Sequence, residues 1–440
     1  MSVTASDPHR MVIVGGGSGG LKLATRLGRR YRRDAGVRVT LVDASLTHVW
    51  KPLLHEIAAG TLDIHDDECD YIAHARAHHF TFVWGRMDGL DCEARRVHLA
   101  PLHEADGREA LPARALGYDT LVIAVGSVGN DFGVPGVAEH CFSLESADEA
   151  ETFRRGLLEA YLRAGQGGGP ATPGELDVAI VGAGATGVEL AAELDKMRHE
   201  LADYGACDID VVHDTRLVII ERAPRLLPGL PQDIADATRD QLRRLGVETR
   251  TGEAVAEVTA DGIQVEGGDF IPARFRVWAA GVKAPAFLGG IGGLETNARD
   301  QLVVGRTLQT TRDANVFALG DCAACPRDAE GSALVPPRAQ AADQQAAFLA
   351  RALPRHLAGE DLPEYVYRDR GSLVNVSDSA FGTLMGALLG NVTIEGWFAR
   401  ASYRWLYRDH QRALHGPIRA LALLLSDLVS RRTRPRLKLH

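Results

Sequence analysis

The chain has 440 residues, of which 45% are hydrophobic and 24% are charged, a composition typical of a globular protein with two or three domains. Its six cysteines are scattered along the chain, which favours a reducing compartment and excludes a small disulfide-built fold. No run reaches the roughly 18 apolar residues that cross a bilayer. Residues 1–10 lack the apolar core of a signal peptide. We therefore expect a cytoplasmic protein whose membrane contact is at most peripheral.

The net charge of −9 is unevenly distributed. Residues 400–440 carry nine Arg and one Lys against two Asp, a balance of +8, so the remainder carries −9 − 8 = −17. An acidic body with a basic tail argues against nucleic acid as the partner and favours a localised docking surface.

Two glycine fingerprints of one pattern each follow an apolar strand, at residues 11–20 (MVIVGGGSGG) and 178–187 (VAIVGAGATG). In G-x-G-x-x-G the first glycine permits a tight turn, the second lets backbone approach a pyrophosphate, and the third lets helix pack on strand. One copy is weak evidence, but two in matched contexts predict two dinucleotides bound at helix N-termini. The fingerprint glycines are Gly15, Gly17 and Gly20, then Gly182, Gly184 and Gly187.

After each fingerprint helix the same order of elements follows. The first half continues with a strand, a short strand with a hairpin, and a buried strand, at residues 38–43, 80–99 and 120–126. The second half continues with a strand, a helix, a hairpin and a strand, at residues 216–221, 232–245, near 260–262, and 276–281. The parallel indicates a duplication, with a glycine-rich linker at residues 165–174 before the second copy.

Asp43 and Glu221 each end the second strand of their half. A carboxylate there is suited to accept hydrogen bonds from ribose hydroxyls, although an acid in this place can also cap the next turn. Glu221 would repel the 2′-phosphate of NADPH, and Arg222 beside it partly offsets that repulsion. We therefore expect a preference for NADH without strict exclusion of NADPH.

Strands that alternate with helices predict an α/β protein with parallel sheets covered on both faces. We expect two dinucleotide-binding Rossmann-type domains, the second inserted in the first, plus a C-terminal amphipathic helical segment. The expected boundaries are residues 1–144 and 286–370 for the first domain, 145–285 for the second, and 371–440 for a membrane-docking region.

The tail changes character at Trp397. Arginines recur every fourth residue from Arg400 to Arg412, and a second apolar-faced helix is predicted after Gly416. An apolar face with aromatic anchors and clustered arginines predicts a helix pair that lies on anionic lipid. The alternative is a helical hairpin packed on the body of the protein or on a second subunit.

Cys322 and Cys325 form a C-x-x-C pair. Such a pair can be a redox dithiol or half of a metal site. No second C-x-x-C is present in the sequence, and the pair does not lie beside the first fingerprint helix. We therefore predict no metal site and no direct electron transfer through these thiols.

The chain resembles the type II NADH dehydrogenases, single-chain flavoprotein NADH:quinone oxidoreductases of bacterial and mitochondrial membranes, and is most similar to their enterobacterial members. The resemblance covers nearly the whole chain. Its most specific segments are residues 48–56 (HVWKPLLHE), 277–285 (VWAAGVKAP), 319–326 (LGDCAACP), 335–342 (VPPRAQAA), 369–373 (DRGSL) and 434–439 (RPRLKL).

This resemblance implies FAD in the first half and NADH in the second. FAD would contact the first fingerprint and Asp43, with Lys51 and Pro52 beside the flavin and Asp321 on the ribityl or phosphate part. NADH would contact the second fingerprint and Glu221. The glycines after the last strands, Gly126 and Gly281, are further candidates for cofactor contact.

The resemblance also implies catalytic residues. Glu189 corresponds to a carboxylate near nicotinamide and flavin, Lys51 would stabilise negative charge on the flavin, and Gln340 and Gln344 match a quinone-pocket pattern. Each has a plainer alternative: Glu189 can favour the helix dipole, Lys51 can be a solvated lysine, and the glutamines can lie on a solvated face. We interpret His55 as a structural histidine.

The expected activity is that of a respiratory-chain enzyme that transfers hydride from NADH to FAD and then two electrons to ubiquinone or menaquinone, without pumping protons. It would act at the cytoplasmic face of the bacterial inner membrane, with a homodimer as a possible assembly. The alternatives are a sulfide:quinone or other flavin-dependent reductase of the same fold, and a non-enzymatic redox sensor.

Overall fold

The structure, a computed structural model, describes residues 7–62, 68–104, 106–166, 172–205, 209–331, 333–376, 379–386, 390–395 and 437. Backbone contacts divide the chain into two compact units. Unit 1 comprises Met1–Val49, Glu68–Val128 and Lys283–Arg368, and unit 2 comprises Trp50–Asp67, Gly129–Val282 and Asp369–His440.

Unit 1 is built on a five-stranded parallel sheet. Its central strand is apolar from Met11 onward and is buried from Met11 to Val14, as expected of a parallel strand covered on both faces. The strands lie in the order Val316–Ala318, Thr120–Ile123, His9–Val14, Val37–Asp43 and Thr81–Trp84.

Unit 1 also contains a smaller antiparallel sheet, short strand pairs and helices. An antiparallel sheet contains Met87–Asp91, Arg96–Leu99 and Arg114–Gly117. Shorter strand pairs are Thr47–His48 with Cys69–Asp70, Leu102–His103 with Glu109–Leu111, and Leu302–Val303 with Ala323–Ala324. The α-helices are Ser18–Tyr31, Tyr71–His78 and Ala339–Leu357. We call Ser18–Tyr31 the first fingerprint helix and Ala339–Leu357 the glutamine helix; the two pack against each other.

Unit 2 is built on a four-stranded parallel sheet in the order Glu248–Thr251, Leu217–Glu221, Val178–Val181 and Phe275–Trp278. One hydrophobic cluster joins this sheet, through Val181 and Trp278, to an antiparallel sheet, through Ile263 and Ile271. The strands of that antiparallel sheet are Val255–Val258, Gly262–Val265 and Phe270–Pro272.

The α-helices of unit 2 include the second fingerprint helix, Ala185–Asp203. The others are Leu54–Ala58, Val137–His140, Ala147–Gln166, Val211–Asp214 and Gln232–Arg244. Gly246, with φ +71°, follows the last of these, and a left-handed glycine commonly stands just after the end of a helix. None of the helices in the described part of the chain has both the length and the hydropathy that a membrane crossing requires.

The predicted duplication is confirmed in topology. In both parallel sheets the fingerprint strand lies between the second and the fourth strand in chain order, and the order of the four equivalent strands is 3-2-1-4. This is the strand order of a dinucleotide-binding half. The α/β class with two such halves, the second interrupting the first along the chain, is therefore confirmed.

The sequence-based boundaries differ from the units at several stretches. Among the described residues, 50–62, 129–144 and the strands within 371–395 fall in unit 2, whereas the sequence analysis expects residues 1–144 to be one part of the first domain and residues 371–440 to be a separate docking region. Which nucleotide each expected domain binds stays a prediction. The expected linker at 165–174 begins later, because the helix runs to Gln166; residues 167–171 lie outside the described residues.

The predicted docking region contains a sheet that the sequence analysis missed. Three antiparallel strands form it, and they are Gly371–Val376, Ser379–Gly386 and Gly390–Glu395. A period-two pattern of β-branched and aromatic residues could have found them. The predicted lipid-binding helix pair, residues 397–440, lies outside the described residues except for Leu437.

Candidate functional site

The first fingerprint has the geometry that its glycines predict. Gly15 has φ +101°, a left-handed conformation that favours glycine. A Cβ at Gly20 would collide with the carbonyl oxygen of Gly15, so glycine is required where helix meets strand. At Gly17, which caps the first fingerprint helix, no described atom lies within 4 Å of a Cβ position. This open space is at a helix N-terminus, where a pyrophosphate is favoured.

The second fingerprint repeats this geometry in unit 2. Gly182 has φ +105°, and a Cβ at Gly187 would collide with the carbonyl oxygen of Gly182. Gly184 caps the second fingerprint helix and also has no described atom within 4 Å of a Cβ position. Gly281 has φ +98°. Both cradles therefore fit a dinucleotide, because each leaves space where its pyrophosphate would lie.

Asp43 and Glu221 take matching places beside their fingerprints. The Asp43 carboxylate accepts the N–H of Gly16 at 2.6 Å, and the Glu221 carboxylate accepts the N–H of Ala183 at 2.7 Å. Each also accepts a backbone N–H two residues further along the chain. Both acids therefore cap the turn after their strand and lie next to the residue between the first two glycines. Their contact with ribose stays a prediction.

Asp321 lies where two neighbouring strands of unit 1 end. Thr120–Ile123 and Val316–Ala318 are adjacent and parallel, and the hydroxyl of Ser127 donates to the Asp321 carboxylate at 2.7 Å. Gly126 has φ +74° and no described atom within 4 Å of a Cβ position. Ligands of α/β proteins bind at such carboxyl ends. The geometry therefore suits the predicted cofactor roles of Asp321 and Gly126.

Two glutamines that the sequence analysis missed hold the backbone around Asp321. Gln345 is buried, and its side-chain oxygen accepts the N–H of Gly320 at 2.7 Å. Gln301 donates from its side chain to the carbonyl oxygen of Asp321 at 2.8 Å. No motif in the sequence singles these residues out, because their partners are backbone groups of a distant segment.

Lys51 and Pro52 begin a short 3-10 turn, Lys51–Leu53, in unit 2. Lys51 is exposed and Pro52 is half-buried. Burial raises the pKa of Glu145, and the positive charge of Lys51 lowers it. The first fingerprint belongs to unit 1, and the placement of Lys51 and Pro52 beside a flavin stays a prediction.

Glu189 is buried in the second fingerprint helix, with 7% of its surface exposed. One carboxyl oxygen accepts the N–H of Asn375 at 3.0 Å, and the other lies 3.8 Å from Nδ1 of His55. Burial raises the pKa of Glu189 to about 8; the Asn375 bond lowers it and nearby carboxylates raise it further. Glu189 is therefore mostly protonated at neutral pH, unlike a surface glutamate that favours a helix dipole.

His55 lies beside Glu189 and is buried as well. Burial lowers the pKa of His55 to about 4, so the imidazole is neutral at pH 7. Its Nε2 has no hydrogen-bond partner among the described residues and lies 4.0 Å from a carboxyl oxygen of Glu56. The interpretation of His55 as a structural histidine is therefore incomplete, since a structural imidazole is expected to have both ring nitrogens satisfied.

Gln340 and Gln344 lie one turn apart on the glutamine helix, as their spacing predicts. The Gln344 amide donates to the carbonyl oxygen of Arg368 at 2.8 Å and accepts the N–H of Arg368 at 3.0 Å. Gln344 therefore anchors the backbone at Arg368 with both ends of its side chain. Gln340 is half-buried, and a quinone contact for either residue stays a prediction.

An ion pair that the sequence analysis missed joins the first fingerprint helix to the glutamine helix. Lys22 is buried and binds Asp343. Lys22 is the fifth residue of its helix, as Glu189 is of the second fingerprint helix. The duplication therefore places a buried ionisable group at the same position in both halves.

Cys322 and Cys325 are free and buried. Burial raises the pKa of each thiol to about 12, so both are protonated at neutral pH. Because the thiolate is the reactive form, this environment favours a structural role for the pair.

The chain matches the family model described as pyridine nucleotide-disulphide oxidoreductase over residues 9–346. It is 41% identical to the type II NADH:quinone oxidoreductase of Haemophilus influenzae over 98% of this chain and 99% of that protein. It is 29% identical to the type II NADH:quinone oxidoreductase Ndh of Mycobacterium tuberculosis over 90% of this chain and 83% of that protein.

Among solved structures, NDH2 of Plasmodium falciparum in complex with NADH superposes with a TM-score of 0.81 at 18% identity, covering 98% of this chain and all of that chain. The sulfide:quinone oxidoreductase of Aquifex aeolicus reaches a TM-score of 0.70 at 19% identity, covering 93% and 92%. These likenesses concern the fold. Together with the family match and the identity to the Haemophilus protein, they place this chain in the pyridine nucleotide-disulphide oxidoreductase family, and within it among the type II NADH:quinone oxidoreductases.

Proposed function

We propose that this chain is an enzyme that binds FAD at the first fingerprint and NADH at the second, and transfers electrons from NADH to a quinone. The observation that carries the proposal is the pair of equivalent cradles, each with open space at Gly17 or Gly184 beside a helix N-terminus. A sulfide:quinone reductase is less well supported, because Cys322 and Cys325 are buried, protonated thiols.

FAD supplies the hydride acceptor and the electron donor to quinone; the protein supplies binding, orientation and electrostatics. The helix N-termini after Gly17 and Gly184 hold the two pyrophosphates. Asp43 and Glu221 are oriented by backbone N–H groups, and their remaining lone pairs accept from ribose hydroxyls. Asp321, fixed by Ser127, holds the ribityl or phosphate portion of FAD.

Glu189 is the proposed catalytic carboxyl group near the nicotinamide. Its environment keeps it protonated at neutral pH, so it can donate a hydrogen bond or a proton. Lys51, an exposed cation, is proposed to stabilise negative charge beside the flavin.

The quinone site is proposed to involve the glutamine helix. Gln340 would donate a hydrogen bond to a quinone carbonyl without titrating. Gln344, whose amide is engaged by Arg368, would fix the surrounding backbone. The proposed electron acceptor is ubiquinone or menaquinone.

We further propose that residues 397–440 dock the protein on anionic lipid at the cytoplasmic face of the bacterial inner membrane, where quinone is dissolved. The arginine spacing in the sequence supports this. Removing residues after Trp397 should release the protein from membranes, and continued membrane association would refute the docking role. A homodimer is a further possibility for testing by light scattering.

The decisive test is the absorption spectrum of purified protein before and after anaerobic NADH. We expect flavin bands that bleach with NADH and return on addition of a short-chain quinone. A colourless protein that does not take up FAD would overturn the proposal. In Gln340→Leu, bleaching by NADH should stay fast while reoxidation by quinone slows; wild-type rates for both steps would refute the glutamine assignment.

A further inference from the structure

Three ionisable side chains of unit 2 lie in a row, and His55, the least exposed of them, is in the middle. Oε1 of Glu56 is 4.0 Å from Nε2 of His55, and Nδ1 of His55 is 3.8 Å from Oε2 of Glu189. The exposed fractions of these side chains are 22%, 3% and 9%. His55 therefore lies between a carboxyl group that reaches solvent and one that is buried, with one ring nitrogen towards each.

The other groups around Glu189 are engaged elsewhere. Glu193, one turn further along the second fingerprint helix, accepts from the hydroxyl of Thr61 at 2.7 Å and lies 3.6 Å from Nζ of Lys196. Asn375 contributes only its backbone N–H to Glu189. Among the described residues, His55 is thus the group that faces Glu189 and also leads towards solvent.

We propose that Glu56, His55 and Glu189 form a proton relay that carries protons from solvent to the buried Glu189 carboxyl group. A protonated Glu56 gives its proton to Nε2 of His55 while the Nδ1 proton passes to the Glu189 carboxylate. One N–H and one O–H bond form as one of each breaks, so the imidazole stays neutral throughout. To return to the first tautomer, the ring turns Nδ1 away from Glu189, Nε2 releases its proton to solvent and Nδ1 takes one up, with no net change in protons. Side-chain movements that shorten the two gaps by about 0.8 and 0.6 Å bring both within hydrogen-bond length, about 3.2 Å.

The electrostatics of His55 agree with a concerted transfer. Burial lowers the pKa of His55 to about 4, which disfavours a resident imidazolium. A neutral imidazole that accepts on one nitrogen as it donates from the other avoids this cost.

The relay has a use in the proposed reaction, on which this part of the inference rests. NADH delivers two electrons and one proton as hydride, whereas a quinol carries two added protons. Each turnover therefore takes one proton from solvent. A buried acid that is refilled through His55 can take up that proton without opening the site to water.

The relay can be tested on the FAD-loaded enzyme without turnover. After mixing into D₂O, the infrared band of the protonated Glu189 carboxyl group shifts as its proton exchanges; the band is identified by its absence in Glu189→Gln. We expect His55→Leu and Glu56→Gln each to slow this exchange roughly tenfold or more, by analogy with losing a proton-transfer group. Exchange at the wild-type rate in both variants would overturn the relay.

Glu193→Gln is the matched control, since it removes a buried carboxyl group of the same helix that lies off the row. It should change the band position while leaving the exchange rate within about twofold, well below the effect of losing a transfer group. If His55→Leu does not fold, Glu56→Gln decides alone, because Glu56 is partly exposed. Unchanged NADH oxidation in Glu189→Gln would refute the catalytic role of Glu189 but not the exchange result, so the two proposals fail separately.

Discussion

The two halves of this chain share a backbone plan and differ in the ionisable group that each fingerprint helix buries. Both have the 3-2-1-4 sheet, a first glycine in the left-handed region, and an acid that accepts the N–H beside it. At the fifth residue of the helix, however, one half has Lys22 and the other has Glu189. Positions that shape the cradle are therefore retained, whereas a position facing the interior has diverged.

The two buried groups are accommodated in different ways. Lys22 forms an ion pair with Asp343 of the glutamine helix, and a buried charge generally requires such a partner. Glu189 has no such cation within the contacts described, and burial raises its pKa to about 8. At this position Lys22 links two helices of unit 1, whereas Glu189 in unit 2 binds a proton.

The largest difference between the two halves is expected when the second glycine of each fingerprint, Gly17 or Gly184, is replaced. In Gly17→Val and Gly184→Val the new side chain enters open space at ordinary negative φ, so both variants should fold. The valine side chain would crowd the bound pyrophosphate, so the affinity for the nucleotide should fall roughly ten- to a hundredfold. Gly17→Val should lose FAD colour, whereas Gly184→Val should keep it and need roughly ten- to a hundredfold more NADH for the same bleaching. The reverse pattern would mean that the nucleotides are assigned to the wrong halves.

Next in size is the effect of Glu189 on hydride transfer. Glu189→Gln should slow bleaching of the flavin by NADH about 100-fold, the usual scale for a positioned acid or base, while FAD stays bound. Lys22→Met is the matched control at the equivalent position. Stopped-flow absorbance should show fast bleaching in Lys22→Met; equal slowing in both variants would indicate a packing effect.

Stability should depend on pH through Glu189. Its native pKa of about 8 exceeds the ordinary value of 4.5, so the native state binds more protons than the unfolded chain between these values. Relative to Glu189→Gln, the free energy of unfolding should fall by up to about 1.4 kcal/mol per pH unit between pH 4.5 and 8 and level off above. Urea titrations of both proteins at several pH values measure this difference; parallel curves would contradict it.

A smaller effect is expected on cofactor choice. Glu221→Gln removes a charge that repels the 2′-phosphate and should raise kcat/KM for NADPH roughly tenfold. Asp43→Asn, the equivalent change in the first half, should leave the ratio of NADH to NADPH use unaltered. If Asp43→Asn shifts that ratio instead, the first half binds the nicotinamide cofactor.

The smallest effect is expected from the cysteines. Because Cys322 and Cys325 are buried and protonated, Cys325→Ala should change either half-reaction by less than about twofold, as expected when no thiolate is present to react. Stopped-flow rates with NADH and with quinone measure this. A rate loss greater than tenfold in the quinone step alone would contradict this prediction and would indicate that the C-x-x-C pair carries electrons.

Local patterns were enough to predict the duplicated α/β plan. Strand hydrophobicity, glycine spacing and the acids Asp43 and Glu221 are set by neighbours within a few residues of each other, so the chain order alone carries them. The shared helix face of Gln340 and Gln344 follows equally from helical periodicity. The sequence of residues 371–395 also has a period-two pattern. The prediction for this region was based on the basic tail and did not include these strands.

What the sequence could not reveal depends on contacts between distant segments. Residue identity does not show that Glu189 is protonated, because its pKa is raised by burial against residues far along the chain. Nor does it show that Lys22 binds Asp343, that Gln344 is held by Arg368, or that His55 lies between two carboxyl groups. Desolvation and pairing arise only when the chain is packed, and tertiary structure therefore decides the chemistry of these side chains.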